Sequence, residues 1–122
     1  MDMKVRAIRG ATQLEADSVE AMKEAVVDLL STLFQENELE VDDLISILFT
    51  ATSDIHSDFP AAAARTLDLG AVPLMCAQEL TIEGSLPLVV RVMVHAYSNR
   101  NHAEIRHIYR RGAQSLRKDI AQ

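Results

Sequence analysis

The chain has 122 residues, a net charge of −6, three Phe, two Tyr and no Trp. That length fits one domain, 1–122, with a modest core that must be aliphatic. The negative charge argues against nonspecific binding to nucleic acid or to an anionic membrane surface. Cys76 is the single cysteine, which excludes an intramolecular disulfide and suits a reducing compartment. The N-terminus lacks the apolar stretch of a signal peptide, and no window approaches the roughly 18 apolar residues of a membrane span. A cytoplasmic protein is expected, with no membrane partner.

Residues 3–9 alternate: Met3, Val5 and Ala7 fall on one side, Lys4 and Arg6 on the other. This predicts a half-buried strand with Arg9 at the end of its apolar row, just before Gly10. Asp17 with Glu20 resembles a capping box. After it, Val19, Met22, Val26, Leu29, Leu30, Leu33 and Phe34 keep helical spacing, predicting a long amphipathic helix over 17–36. Glu20, Lys23, Glu24 and Asp28 form its solvated face.

The length and β-branching of the run at 44–52 favour a strand, although a helix would also tolerate it, and Ser53-Asp54 breaks it. Pro60 suits the first position of a short helix over 61–67, with Asp58 as its cap. Gly70 ends that segment. Val72 to Met75, around Pro73, predicts a short edge strand. Gly84 turns the chain into a strand over 88–97. Residues 104–111 suit either helix or strand, and the polar tail beyond Leu116, about 117–122, is expected to be mobile. The order defines an α+β fold, an α/β sandwich with one long helix. A single long helix covers only part of one sheet face, so the remaining apolar surface predicts oligomerisation.

Arg91 interrupts the apolar run from Leu88 to Val94, which reads as a strand buried on both faces. Burying a guanidinium without a partner costs several kcal/mol, of the order of ~5. Either an internal carboxylate pairs with it, or it lines a cleft for an anionic or electron-rich ligand. The segment Pro73-Leu74-Met75-Cys76-Ala77-Gln78-Glu79 adds a thiol, an amide and a carboxylate where a strand passes into a loop.

With Arg9, Arg65 and Arg91, this segment offers several cations and one carboxylate, and no base–nucleophile pair. The inventory suits binding a dianion that carries a hydroxyl, and stabilising charge separation rather than covalent chemistry. There is no P-loop, nucleophile elbow or Rossmann glycine pattern. His56, His95, His102 and His107 have no metal-ligand spacing, so neither metal nor cofactor is expected.

These residues, in order, resemble the monofunctional, trimeric chorismate mutases of the AroH class. The matching segments are Val5-Arg6-Ala7-Ile8-Arg9-Gly10-Ala11-Thr12, Ser53-Asp54-Ile55-His56, Phe59-Pro60-Ala61, Arg65 and Val72-Pro73. Cys76-Ala77-Gln78-Glu79, Arg91-Val92-Met93, Ile105-Arg106-His107-Ile108-Tyr109 and Leu116-Arg117 complete the set. The resemblance implies a mixed sheet packed on helices, with 105–110 as strand. It also implies a trimeric pseudo-α/β barrel with a cleft at each subunit interface.

The implied reaction is the cofactor-free Claisen rearrangement of chorismate to prephenate. By the resemblance, Arg91 donates to the breaking ether oxygen, and Glu79 and Cys76 hold the ring hydroxyl. Arg9 and Tyr109 grip the side-chain carboxylate. Phe59 and Leu116 form apolar walls, Arg65 lines the cleft and Arg117 closes over it. Ala61, Met75, Ala77 and Gln78 complete the substrate-binding set. Two positions depart from the family pattern: Ala62 stands where many members have lysine, and Met75 replaces a threonine. The rival readings are another trimeric small-molecule enzyme such as an imine deaminase, and a non-catalytic metabolite-binding module.

Overall fold

A computed structural model describes residues 2–116; Arg117 and the tail expected to be mobile lie outside them. The elements are β1 (Lys4–Gln13), α1 (Val19–Glu36), β2 (Leu44–Ala51), α2 (Pro60–Ala64), β3 (Leu74–Gln78), β4 (Val89–Ser98) and β5 (Ile108–Tyr109), joined by short 3-10 turns. The strands form one mixed sheet in the order β3-β2-β4-β1-β5. β4 runs antiparallel to both β1 and β2, while β3 and β5 add parallel at the edges. The α+β reading holds, and the helical layer contains two helices.

Both helices pack on one face of the sheet. Met22, Ala25, Val26, Leu29, Leu30 and Leu33 of α1 are buried. They share a core with Ala61, Ala63 and Ala64 of α2 and with Ile8, Ile47, Phe49, Val90, Val92 and Val94 of the sheet. Val19, placed on the apolar stripe by periodicity, is 51% exposed because it starts the helix beyond the sheet's reach. Gly10 lets helix and sheet approach closely. A Cβ there would meet Leu29 Cδ1, Val92 Cγ2 and the Ile108 carbonyl oxygen, each at 3.1 Å.

The parity expected for the first strand is reversed within the chain. Ile8, Gly10 and Thr12 face the helices, whereas Met3 and Val5 are 50% and 54% exposed. Alternation locates an apolar face but does not say whether the chain itself or another body covers it. The same correction applies to β4. Val90, Val92, Val94 and Ala96 are buried, but Arg91, Met93 and His95 are only half-buried and Tyr97 is exposed. β4 is therefore covered on one face here, not two.

Two capping expectations also change. The N-cap of α1 is Ser18, which accepts from the Ala21 amide at 3.1 Å. Asp17 instead accepts the amides of His56 and Ser57 at 3.0–3.1 Å, tying the start of α1 to the loop before α2. Asp58 accepts from the Phe59 amide and does not cap α2.

Asp28, assigned to the solvated face, takes two hydrogen bonds from the Arg110 guanidinium, both at 3.0 Å. Those bonds hold its carboxyl below the usual carboxylate range against a smaller opposing effect of burial, with the Arg110 and Arg111 charges helping. Because the folded value is lowered, this stabilisation is present above the ordinary value of 3.8 and is lost as pH falls through the folded one. Asp28→Asn is therefore expected to cost about 0.5–1 kcal/mol at pH 7, discounted for partial exposure. The cost should shrink toward zero in acid, as read by urea denaturation at several pH values.

The edge strand expected over Val72 to Met75 runs instead over Leu74–Gln78, so Cys76 and Gln78 lie within it. Pro73 itself contributes a carbonyl to the Ile47 amide at 3.0 Å.

Candidate active site

The face of the sheet opposite the helices is built from the odd positions of β1 and β4 and the matching rows of β2 and β3. Register places Arg9 beside Met93, Ala11 beside Arg91, Thr50 between Arg91 and Ala77, and Leu48 between Met93 and Met75. Neither α1 nor α2 covers this face, and among the described residues only the 3-10 turn at Arg111–Ser115 packs over its Ala11 end. Its exposed apolar side chains include Val5, Leu48, Met75 and Tyr97.

Glu79 follows β3 directly, and its amide extends the ladder to the Ala51 carbonyl at 2.9 Å. Its carboxylate meets two groups on the open face. Thr50 Oγ1 donates to Oε2 at 2.6 Å. Arg91 Nε lies 3.3 Å from the same oxygen, but its N–H is not aligned to donate, so Nε is buried without a hydrogen bond. The Arg91 and Glu79 side chains are 41% and 30% exposed. Arg91 is thus both paired and open, combining the two alternatives raised by the sequence.

A cavity of about 230 Å³ contains Glu79 and Arg91, walled by Leu80, Ile82, Leu86 and Leu116. Leu116 therefore lies where an apolar wall was expected. A larger cavity of about 480 Å³ is lined by Phe59, Pro60, Cys76, Ala77 and Gln78 and does not include Glu79 or Arg91. Thr52 lines both. The predicted residues thus fall into two groups on one chain.

Arg9 is half-buried on β1, and its guanidinium has no hydrogen-bond or ion-pair partner among the described residues. Tyr109 is 2% exposed, packed with Ala11, Ala113 and Leu116. Ala61 is buried in the core beneath α2, so its side chain faces away from any cleft. Arg65 is exposed on the turn after α2, outside both cavity linings. Met75 points from the open face, while Cys76 alternates to the helix side, packs against the core and reaches the larger cavity.

Sequence reasoning missed Thr50, whose hydroxyl sits in an apolar strand and reads there as a β-former. It also read Asp54 only as part of a strand break. Thr52 Oγ1 donates to Asp54 Oδ1 at 2.5 Å, and the Asp54 carboxylate accepts the Leu88 amide at 3.0 and 3.2 Å. Leu88 has φ +54°, a left-handed conformation unfavourable for a branched side chain. Asp54 thereby holds the turn that launches β4 and sets the depth of Arg91. Asp54→Ala is expected to cost about 1.5–3 kcal/mol, the range for hydrogen bonds to a charged group. Urea denaturation checks this.

Among the described residues, no three His, Cys, Asp or Glu side chains cluster as metal ligands, and no helix is long and apolar enough to cross a membrane. The Arg91 cation, the Glu79 carboxylate and the apolar walls of that cavity are the groups that a small-molecule enzyme site for an anionic ligand requires.

The comparisons with known proteins narrow that class. The chorismate mutase type I family matches residues 5–120. Chorismate mutase AroH of Thermus thermophilus is 39% identical over 117 residues, covering 95% of this chain and 96% of that one. The Bacillus subtilis (strain 168) protein of the same name is 36% identical over 120 residues, covering 98% and 94%. A solved chorismate mutase from Clostridium thermocellum superimposes with a TM-score of 0.89 at 39% identity, covering 91% of this chain and 99% of that one. The chain belongs to the chorismate mutase type I family.

Proposed function

We propose that the chain converts chorismate to prephenate by an intramolecular Claisen rearrangement, as an isomerase of aromatic amino acid biosynthesis acting in the cytoplasm. The observation that carries this reading is the half-open Arg91–Glu79 pair, set in an apolar cavity on a chain of this family.

Chorismate carries two carboxylates, an ether oxygen and a ring hydroxyl. Holding it in the compact reactive conformer removes much of the entropic barrier. As the C–O bond breaks ahead of C–C bond formation, the ether oxygen gains negative charge and the ring positive charge. In this reading Arg91 donates to that oxygen, and Glu79 faces the ring and its hydroxyl. Arg9 and Tyr109 hold the side-chain carboxylate, and no step requires a covalent intermediate.

The working unit in this proposal is a homotrimer whose sheets face inward as a pseudo-α/β barrel. Support comes from the uncovered apolar face and from the split of the site residues. The Phe59–Cys76 group of one copy would complete the Arg9–Glu79–Arg91 group of the next, with Arg65 at the cleft mouth. Ala61, Met75, Ala77 and Gln78 contribute to the first group, Ala61 through its backbone, and Leu116 to the second. Expected results are loss of chorismate's ultraviolet absorbance on adding protein without metal or cofactor, prephenate as product, and a sedimentation mass three times 13.5 kDa. A folded trimer that leaves chorismate intact would overturn the proposal.

A further inference from the structure

We infer that Thr50 is a positioning residue for the Glu79 carboxylate, its hydroxyl keeping Glu79 and Arg91 from closing on each other as a two-bonded pair. The inference rests on the functional reading above.

A carboxylate next to an arginine tends to settle into two parallel N–H···O bonds with the guanidinium fork. Glu79 and Arg91 are close enough to do so, yet among the described residues no hydrogen bond joins them: the ion-pair contact, 3.3 Å from Nε to Oε2, is not aligned as one. The bond Oε2 does accept comes from Thr50 Oγ1, at 2.6 Å, within the short range of a hydroxyl donating to an ionised oxygen. Thr50 lies between Arg91 on β4 and Ala77 on β3 as their Cα partner on the same open face. From the neighbouring strand it holds Oε2 where the guanidinium fork cannot grip it.

The consequence falls on the atoms that meet the substrate. Glu79 Oε1 and both terminal nitrogens of Arg91 make no hydrogen bond among the described residues. A closed pair would use those same atoms. Threonine is suited to this task because β-branching stiffens χ1, so the hydroxyl direction is fixed before ligand arrives. A merely structural Thr50 would be replaceable by valine, which matches its shape and favours strands equally.

The test measures kcat, KM and melting temperature of the full chain with chorismate for wild type, Thr50→Val, Thr50→Ser, Glu79→Ala and the Thr50→Val/Glu79→Ala double variant. Thr50→Val is expected to lower kcat about tenfold, the scale of one hydrogen bond to a charged group, with the melting temperature nearly unchanged. KM should move by less than about threefold, since the effect is on the charge-stabilising geometry. Thr50→Ser should recover most of the loss. In the Glu79→Ala background, Thr50→Val should cost less than about twofold more, because the group it acts through is gone.

Wild-type kcat in Thr50→Val, a serine variant no better than valine, or an undiminished valine effect beside Glu79→Ala would each overturn the inference while leaving the mutase reading standing. A wild type inert toward chorismate would overturn both together.

Discussion

Arg91→Lys is expected to lower kcat/KM for chorismate by about 10²–10³-fold, the loss typical of removing one preorganised donor at a site of developing charge. Lysine keeps the charge but gives up the planar fork, so a single ammonium cannot both approach the ether oxygen and stay set against Glu79. The melting temperature should barely move. The Arg91 and Glu79 side chains are 41% and 30% exposed and make no aligned hydrogen bond, so their mutual attraction is worth less than about 1 kcal/mol. A pair built for stability would behave the opposite way: Arg91→Ala would leave an orphaned buried carboxylate and cost about 3–5 kcal/mol with little specific effect on turnover. Near-normal kcat in Arg91→Lys would remove Arg91 from its assigned role.

Leu48→Asp is expected to dissociate the assembly and abolish most turnover together. Leu48 lies at the middle of the uncovered sheet face, between Met93 and Met75, and is 39% exposed in the isolated chain. An aspartate there costs the single chain little, because water still reaches it. In a closed trimer, burial would cost several kcal/mol, of the order of ~5, at each of three interfaces. Sedimentation should give a folded species of 13.5 kDa with chorismate turnover down by more than about 100-fold, since neither group of site residues is complete alone. A fully active monomer would show that one chain suffices and would end the shared-site proposal.

These outcomes bear on what the sequence could reveal. The α1 stripe was legible because Met22, Val26, Leu29, Leu30 and Leu33 repeat with a helical period and bury against the chain's own sheet. Met3, Val5 and Ala7 repeat just as regularly, yet they lie opposite the helices. Periodicity reports that a face is apolar and is silent on what covers it. Arg91 and Glu79 were legible as anomalies, a cation within an apolar strand and a carboxylate at a strand end. Their relation through Thr50 was not, because strand register between β2 and β4 is a long-range property that no local pattern encodes. Asp17, Asp28 and Asp54 were misread or left without a role for a related reason. A carboxylate near a helix start or on a polar helix face has a ready local use, while their partners at 56–57, 110 and 88 are distant in sequence.

The place of β4 in the sheet also governs the order in which the chain can fold. β1 and β2 never pair with each other; each is joined to the sheet through β4. While residues 1–88 emerge during synthesis, only the parallel β2–β3 ladder has both partners, and the apolar stripe of α1 has no finished surface to dock on. The sheet closes only once residue 98 is available, bringing Lys4 beside Ser98 across nearly the whole chain. Such non-local pairing makes folding slow relative to helical domains of equal size and leaves apolar edges open in the meantime. The strand that carries Arg91 is therefore also the one that commits the chain to its native topology, so synthesis cut short before β4 would leave a sticky fragment rather than a smaller domain.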